Sequence, residues 1–385
     1  MIEISGDGDD ASLKISESFP LATQGEEPPD EPVRNSHKSV ALLLVGLVLI
    51  AGFVVVMPSI PSLVRRGSNL FSQLMSSLTG NGGVNAQDNL NYTIYSPLIQ
   101  NGAANISYPP DYGALANYAL GLINSDRANY SLSQVTLSDS DVAQQHADSM
   151  LRYGYFSHND TQGFKPYIRY TLLGGKGAVE ENIATSYTTL PEFTSVASVE
   201  NALKSLEWTM MYNDYQCCNN GHRYNILTGL HNQVSIGVAF NSTRVFFVED
   251  FENYYIDLNF SVSSSYLVTM TGVTFTQGLS VNSVFIGYDS TPVPETPWQL
   301  NNGPHEYGYG TPAGGVLPPC AFTCNTFESG VTVYAQTWTF APEMVSIAFS
   351  LHDFIQHYGS GVYTIYLITG ANSSSAVTSI SVFVK

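Results

Sequence analysis

The sequence predicts an α+β domain followed by an all-β domain, and three observations carry this prediction. Apolar residues recur at helical spacing between about residues 111 and 212. Two runs with alternating apolar residues follow, "VSIGVAF" and "RVFFVEDF", as expected for a hairpin of strands. Beyond residue 256 only strand-like runs recur, separated by Gly, Pro, Asn and Ser. One long apolar run ahead of both domains predicts a transmembrane helix.

Composition and charge argue against two broad classes of protein. The chain has 385 residues, of which 44% are hydrophobic and 12% aromatic, enough to fill real cores, so the chain as a whole is not disordered. Its 32 acidic residues outnumber 14 basic ones, for a formal net charge of −18. Nucleic acid is therefore not an expected partner.

The N-terminal third divides into an acidic tail, an apolar span and a polar linker. Residues 1–38 hold nine acidic and three basic side chains, cannot bury a core, and are predicted to be disordered. Residues 39–60 are predicted to be a transmembrane helix, because residues 40–57 are uncharged, mostly apolar and about 27 Å long as a helix. A cleaved signal peptide is the alternative, but its leader would be unusually long and acidic. Residues 61–110 are predicted to be a stalk, because they are rich in Gly, Asn and Ser.

The orientation of the span is predicted from the residues that follow it, because basic residues are balanced on its two sides. All four cysteines and seven Asn-x-Ser/Thr triplets lie after the span, as is typical of an extracellular chain. The candidate glycosylation sites are Asn91, Asn105, Asn129, Asn159, Asn241, Asn259 and Asn372. We therefore predict a single-pass cell-membrane protein with a cytoplasmic N-terminus and extracellular, glycosylated C-terminal domains.

The α+β domain is predicted to span residues 111–255. A first helix follows from the apolar spacing after Leu115. A second is predicted to start near Ser138, whose hydroxyl can cap it, and to end at Gly154. A third presents an apolar face from Val196 to Met210 and precedes the hairpin.

Residues 256–385 are predicted to form a β-sandwich, because strand-like runs recur there at short intervals. The runs are "YLVTMTGVTF", "VNSVFIGYD", "GVTVYAQTWTF", "VSIAFSL", "VYTIYLIT" and "TSISVFV". Lys385 is the only basic residue of this region, and no catalytic constellation stands out in it. Adhesion, spacing and packing against the first domain are all compatible with this composition.

Three short stretches of the α+β domain carry candidate site residues. They are "YFSHNDTQG" with His158, "VEENIA" with Glu181 and "GHRYNIL" with His222. Two imidazoles and a carboxylate form the kind of ligand set that binds Zn²⁺, or a similar divalent cation, and leaves a position open for water. The alternative is that each residue has a local structural role, such as capping a turn or bonding a nearby carbonyl.

The order and wording of these stretches resemble a known family. Residues 113–252 resemble a CAP domain of the prokaryotic type, the family of cysteine-rich secretory proteins, antigen 5 and pathogenesis-related proteins. The resemblance implies an α-β-α sandwich whose central cleft holds two His and two acidic residues. His158, Glu181 and His222 match three of these four positions, and a turn at Gly221 is expected to aim the His222 imidazole into the cleft.

The fourth position departs from the family pattern. In plant-type members an acidic residue follows a Trp by three positions, whereas Trp208 is followed there by Met211. Glu207 and Asp214 are possible substitutes, and the sequence favours a solvated face for Glu207.

Three further residues match the family and are predicted to be structural. His146 lies within a helix among Ala and Met, so we expect it to be packed and hydrogen-bonded. Arg127 and Arg169 are expected to neutralise buried acids or carbonyl groups.

The four cysteines allow three complete pairings. Cys217 and Cys218 are adjacent, with Cα atoms about 3.8 Å apart, below the usual disulfide range of about 4.4 to 6.8 Å. We therefore expect them to pair with Cys320 and Cys324 and so to staple the two domains together. The alternative is a small Cys320–Cys324 loop, with Cys217 and Cys218 either reduced or joined in a strained bond.

Two functions from different classes fit these expectations. The first is an extracellular binding or adhesion protein whose cleft holds a divalent cation, with envelope, matrix or a small ligand as partner. The second is a metal-dependent hydrolase in which His158 and His222 hold the metal, which activates water, and Glu181 accepts a proton. A purely structural scaffold with a closed cleft is a third possibility.

Overall fold

A computed structural model describes part of the chain. The described residues are 2–5, 112–276, 278–322, 324–327, 329–341, 344–369 and 376–385. Most of the predicted tail, the span and the stalk lie outside them. Among the described residues, no helix is both long enough and apolar enough to cross a membrane.

The first part of the structure combines six helices with a five-stranded sheet. The helices are α1 (Tyr112–Asn129), α2 (Val142–Tyr153), α3 (Pro166–Leu172), α4 (Val196–Tyr212), α5 (Tyr215–Cys218) and α6 (Gly221–Leu227). The strands are β1 (Ile2–Ser5), β2 (Thr136–Leu137), β3 (Ala178–Tyr187), β4 (Gln233–Asn241) and β5 (Arg244–Asn253). The strand order is β1-β3-β5-β4-β2, with β5 antiparallel to both of its neighbours. Strand β1 comes from residues that were predicted to belong to the acidic tail.

The ends of two helices follow local signals. Helix α2 ends at Gly154, which adopts a left-handed conformation with φ 71° and donates its N–H to Met150 O. It begins at Val142, later than the predicted start near Ser138. Helix α4 begins with a capping box in which Ser195 and Ser198 satisfy each other's backbone N–H groups.

The sheet of the first part is covered on both faces. One face packs against α1 and α4, with Ile123 and Leu203 among the buried contacts. The other face packs against α2, where a Cβ added to Gly237 would lie 2.1 Å from Ala143 O. Because both faces are covered, β5 is buried almost throughout and does not alternate between core and solvent.

The second part of the structure consists of two sheets around a shared core. One sheet has the order β10-β9-β8-β13-β14 and the other has the order β11-β12-β7-β6. Their strands are β6 (Ile256–Val262), β7 (Leu267–Thr274), β8 (Ser283–Asp289), β9 (Thr311–Leu317), β10 (Val331–Tyr334), β11 (Thr337–Ala341), β12 (Met344–Ser350), β13 (Gly361–Ile368) and β14 (Ile380–Val384). Two short helices accompany them, α7 (Pro297–Asn302) and α8 (His352–Tyr358). A mixed α+β architecture with several sheets is confirmed; β6, β9 and both short helices were not predicted.

The two parts share a buried seam and belong to one compact unit. Tyr167 and Val179 of the first part pack in one apolar cluster with Val362 of β13. The Thr171 hydroxyl donates to Ser379 O at 2.8 Å, and Asn253 Nδ2 donates to Ala376 O at 2.7 Å. The division into two domains at residue 255 stays a prediction.

The candidate glycosylation sites have different environments. Asn129, Asn241 and Asn259 are exposed, whereas Asn159 is half-buried and donates its amide to Glu295 Oε1 at 3.3 Å. The remaining sites lie outside the described residues: Asn91, Asn105 and Asn372.

Candidate functional site

His158 lies on the loop that follows α2, and its ring is held by a carboxylate. The ring is buried and its Nδ1 lies 2.9 Å from Glu181 Oε1. An ionised carboxylate can only accept hydrogen bonds, so Nδ1 carries the hydrogen and Nε2 carries the lone pair. Burial lowers the pKa of His158, although the hydrogen bond to Glu181 opposes this shift. The imidazole is therefore neutral near pH 7.

Glu181 extends from β3 into a fully buried position where both of its oxygens are engaged. Oε1 accepts from His158, and Oε2 forms an ion pair with Arg169 Nη2 at 2.5 Å. Burial opposes ionisation, but the charge of Arg169 and the neighbouring imidazoles lower the pKa of Glu181 to about 2. Asp250 faces Glu181 across the β3–β5 pair, and burial together with the charge of Glu181 raises the pKa of Asp250 well above its usual value. Glu181 is therefore the ionised carboxylate that orients His158.

Arg169 and His146 support the loop that carries His158. Arg169 Nη1 donates to His158 O at 2.6 Å and to Phe164 O at 2.8 Å, which ties the loop to α3. His146 Nε2 bonds Ser157 O at 2.9 Å, and burial lowers the pKa of His146 to about 3. The predicted structural roles of Arg169 and His146 are confirmed by these contacts.

His222 lies in the first turn of α6 and is held by Asp214 in the same way. Its buried ring places Nδ1 2.6 Å from Asp214 Oδ1, while its backbone N–H donates to Asp214 Oδ2 at 2.9 Å. Burial lowers the pKa of His222, and the His158 imidazole contributes to this shift. Asp214, one of the two possible substitutes for the missing acid, is therefore the carboxylate that holds His222.

The sequence suggested that a turn at Gly221 orients His222. In the structure the turn lies at the two residues before Gly221. Asn219 and Asn220 adopt left-handed backbone conformations, with φ 49° and 63°, and Gly221 is already the first residue of α6. Asn tolerates this conformation better than other residues that carry a Cβ. The Asn pair therefore reverses the chain between α5 and α6.

Asn182 links β3 to the helix that carries His222. Its Nδ2 donates to His222 O at 3.1 Å and to Glu249 Oε2 at 3.0 Å, and its Oδ1 accepts from Asn225 at 2.9 Å. Glu181 and Asn182 are consecutive, and consecutive strand residues point to opposite faces of a sheet. The "ENIA" stretch thus bonds the His158 ring through Glu181 and the His222 backbone through Asn182.

Glu207 was predicted to lie on a solvated face, and this prediction is wrong. It is only 2% exposed, because it lies on the buried face of α4. Burial and the neighbouring Glu249 raise the pKa of Glu207 well above its usual value. Burial also raises the pKa of Glu249 to about 7.

The Glu207–Glu249 pair predicts a pH-dependent stability. The folded-state pKa of Glu249 lies above the ordinary 4.5, so the free energy of unfolding falls as pH rises from about 4.5 to about 7. We expect Glu249→Gln to raise the free energy of unfolding by about 1 kcal/mol or more at about pH 8, and to change it little at about pH 4.5. Thermal unfolding at both pH values measures this as a Tm difference of roughly 2 °C or more. Glu192→Gln, an exposed carboxylate, is the matched control; equal stabilisation at both pH values would contradict the assignment.

A segment of the second part lies across the loop that carries His158. The Glu295 N–H donates to Thr161 O at 3.0 Å, and Asn301 Oδ1 accepts from the Phe156 N–H at 2.8 Å. The Tyr307 ring lies against the His158 ring, with centroids 4.7 Å apart, and its hydroxyl accepts from the Glu181 N–H at 2.6 Å. The sequence offered no signal for Tyr307, because "HEYGYG" has the composition of an ordinary loop.

The disulfides join neighbouring residues and do not link the two parts. Cys217 is bonded to Cys218, and Cys320 is bonded to Cys324, with Cα atoms 5.7 Å apart in the second pair. The predicted staple is therefore wrong. Each cysteine already has a partner one or four residues away, and the alternative loop at Cys320–Cys324 is the one found.

One group of side chains in the described part of the chain could hold a metal ion. Asp214, Cys217, Cys218 and His222 each offer one ligand atom, and these atoms lie within 4.8 Å of one another. The predicted trio of His158, Glu181 and His222 does not form such a group among the described residues. The oxygens of Glu181 are directed to His158 and Arg169 instead.

Comparisons with known proteins give a structural similarity but no match in sequence. The sequence matches no family model and no curated protein. The structure is similar to the CAP domain of Enterococcal PrgA, with a TM-score of 0.27 and 16% sequence identity. The match covers 36% of this chain and 60% of that chain, so the chain spans less than two thirds of the structure that it matches.

Proposed function

We propose that residues 113–252 form a CAP-type α-β-α sandwich of the prokaryotic type, whose cleft binds a divalent cation through Nε2 of His158 and Nε2 of His222. The observation that carries this proposal is the pairing of each imidazole with a buried carboxylate through Nδ1. Within the described residues, neither Nε2 atom forms a hydrogen bond. Each ring is thus neutral, fixed in orientation and able to offer a lone pair.

Zinc is the cation that this donor set favours. Imidazole nitrogen is a common ligand of Zn²⁺, and metal-binding His residues usually donate their other ring N–H to a carboxylate or carbonyl group. Glu181 and Asp214 fill this supporting role. Burial lowers the pKa of both His158 and His222, which favours the neutral form of each ring that can bind a metal.

The proposal gives Glu181 a different role from the one predicted from the sequence. Glu181 orients His158 and is neither a metal ligand nor a proton acceptor, because both oxygens are bonded and its pKa is about 2. A general base works best with a pKa near the operating pH. No observation therefore favours the hydrolase, and a binding or adhesion role is the proposal that remains.

We also propose that the apolar run at residues 40–57 anchors the protein in the cell membrane, with the folded domains extracellular and facing envelope, matrix or a small ligand. This topology and the pairing of β1 with β3 are mutually exclusive, because residues 2–5 cannot reach β3 from the other side of a membrane. Protease treatment of intact cells separates the two arrangements. Loss of an N-terminal tag would contradict the proposed topology.

Zinc binding to the full-length, metal-depleted protein without reductant tests the cleft. We expect calorimetry to show one Zn²⁺ per chain, and we expect His158→Ala or His222→Ala to abolish this binding. Asp214→Asn should weaken it by about 10–100-fold, because loss of a supporting carboxylate typically has an effect of this size.

His352→Ala is the matched control for these variants, because His352 is an exposed imidazole on α8. It should bind zinc as the wild type does. Circular dichroism checks that every variant is folded. Binding that survives both cleft substitutions, or no binding by the wild type, would overturn the proposed site.

A further inference from the structure

We propose that the hairpin of residues 214–222 is a redox-gated metal site, in which reduction of the Cys217–Cys218 disulfide creates a thiolate ligand set with Asp214 and His222. This inference goes beyond the cleft site and shares only His222 and Asp214 with it. It requires a divalent cation that favours sulfur ligands, such as Zn²⁺.

The backbone of the hairpin brings the four side chains together. Asp214 precedes the short helix α5, which contains both cysteines, and the left-handed Asn219–Asn220 turn returns the chain to His222. As a result, Asp214 Oδ1 lies 2.6 Å from His222 Nδ1 and 3.5 Å from Cys217 Sγ. One ligand atom from each of the four residues falls within 4.8 Å of the others.

The four side chains differ in their exposure: two are buried and held in place, and the other two are accessible to solvent. Asp214 is 2% exposed and His222 is 5% exposed, and both are held by hydrogen bonds. Cys217 is exposed and Cys218 is half-buried. A reductant can therefore reach the disulfide from solvent, while the carboxylate and the imidazole already occupy their positions beneath it.

The oxidised and reduced forms offer different donor sets. Sulfur atoms joined in a disulfide are poor ligands, because thiolate is the form that binds metals. A dithiol reductant supplies two electrons, which convert the disulfide to two thiols while the dithiol becomes a disulfide itself. Binding of a divalent cation then displaces the two thiol protons and gives two sulfur ligands, one carboxylate oxygen and one imidazole nitrogen, a set typical of tetrahedral zinc.

His222 connects this site to the proposed cleft. Its Nδ1 faces Asp214, so Nδ1 is the nitrogen that joins the thiolate set, and its hydrogen moves to Nε2. A neutral imidazole has one lone pair, so His222 cannot serve the cleft through Nε2 at the same time. Reduction is thus expected to transfer the cation from the cleft to the hairpin.

Cobalt spectroscopy on the full-length protein tests the proposal, with Co²⁺ as the probe. The background is Cys320→Ser/Cys324→Ser, which removes the other cysteine pair. After anaerobic reduction by a phosphine, which consumes one water per disulfide and leaves the phosphine oxide, Co²⁺ should produce a sulfur-to-cobalt charge-transfer band. The oxidised protein should not produce this band.

Three variants in that background make the result specific. Cys217→Ser/Cys218→Ser should lose the charge-transfer band, and His222→Ala should weaken it. His158→Ala should keep the band in the reduced protein, although it removes cleft binding in the oxidised protein. The failure of the cleft site therefore has a different signature from the failure of the thiolate site.

Two outcomes would overturn the inference. The reduced background protein could show no charge-transfer band, or the band could persist without Cys217 and Cys218. Because Cys217 is exposed and Cys218 is only half-buried, their replacement should not unfold the protein, and circular dichroism verifies this.

Discussion

Replacing Arg169 with Met is expected to lower the free energy of unfolding by about 3–5 kcal/mol, because it leaves the buried charge of Glu181 without its partner. The guanidinium bonds Glu181 Oε2 at 2.5 Å, and it also donates to His158 O and Phe164 O. Its loss should also release the loop that carries His158. Urea unfolding measures the stability, and zinc calorimetry on the folded fraction measures the effect on the cleft.

The double variant Arg169→Met/Glu181→Gln separates charge from packing. If Arg169→Met loses stability because the buried Glu181 carboxylate has no partner, neutralising Glu181 should restore part of that stability. Arg169→Lys should be less stable than the wild type, because one ammonium group cannot match the planar guanidinium, which reaches three acceptors. Arg152→Met, at an exposed position of α2, is the control. A loss below about 1 kcal/mol for Arg169→Met would show that water or a side-chain shift replaces the ion pair.

Replacing Arg127 with Met is expected to lower the free energy of unfolding by about 3 kcal/mol or more. The reason is that the side chain is fully buried and donates hydrogen bonds to four backbone carbonyls. Nε donates to Ser133 O at 2.9 Å, Nη1 to Ile226 O at 2.7 Å and Thr228 O at 3.0 Å, and Nη2 to His231 O at 3.2 Å. These contacts hold the end of α6 and the loop that follows it.

The same substitution should also affect the proposed cation site, because α6 carries His222. We expect weaker zinc binding in the folded variant, with the loss attributable to displacement of α6. Lys204→Met, an exposed position of α4, controls for removal of a long cationic side chain. Unchanged zinc affinity in a destabilised Arg127→Met protein would limit Arg127 to a role in folding.

Local patterns were sufficient to predict many elements of the fold. The apolar face of α4, the end of α2 at Gly154 and the β4–β5 hairpin follow from spacing and capping residues that act within a few positions. Six strand-like runs after residue 256 correspond to strands, although "GVTVYAQTWTF" divides into β10 and β11. Burial of β5 on both faces could not be predicted from its alternating pattern, because it depends on helices that are distant in the sequence.

The residues of the site were only partly predictable. His158, Glu181 and His222 stand in recognisable stretches, and Asp214 was a possible fourth member. Their pairing was not predictable, because the chain had to bring β3 beside the His158 loop and fold the α5–α6 hairpin back on itself. This is why Glu181, expected to be a ligand, is bonded to His158 and Arg169.

The sequence by itself determined the α+β composition, the apolar run at residues 40–57 and the imidazoles available for a cleft. Only the tertiary structure decided that Tyr307 covers His158, that Glu207 is buried against Glu249 and that each cysteine pairs with its near neighbour. The physical reason is the range of the forces. Periodicity and capping act over a few residues, whereas burial, ion pairing and pKa shifts depend on side chains that only long-range packing brings together.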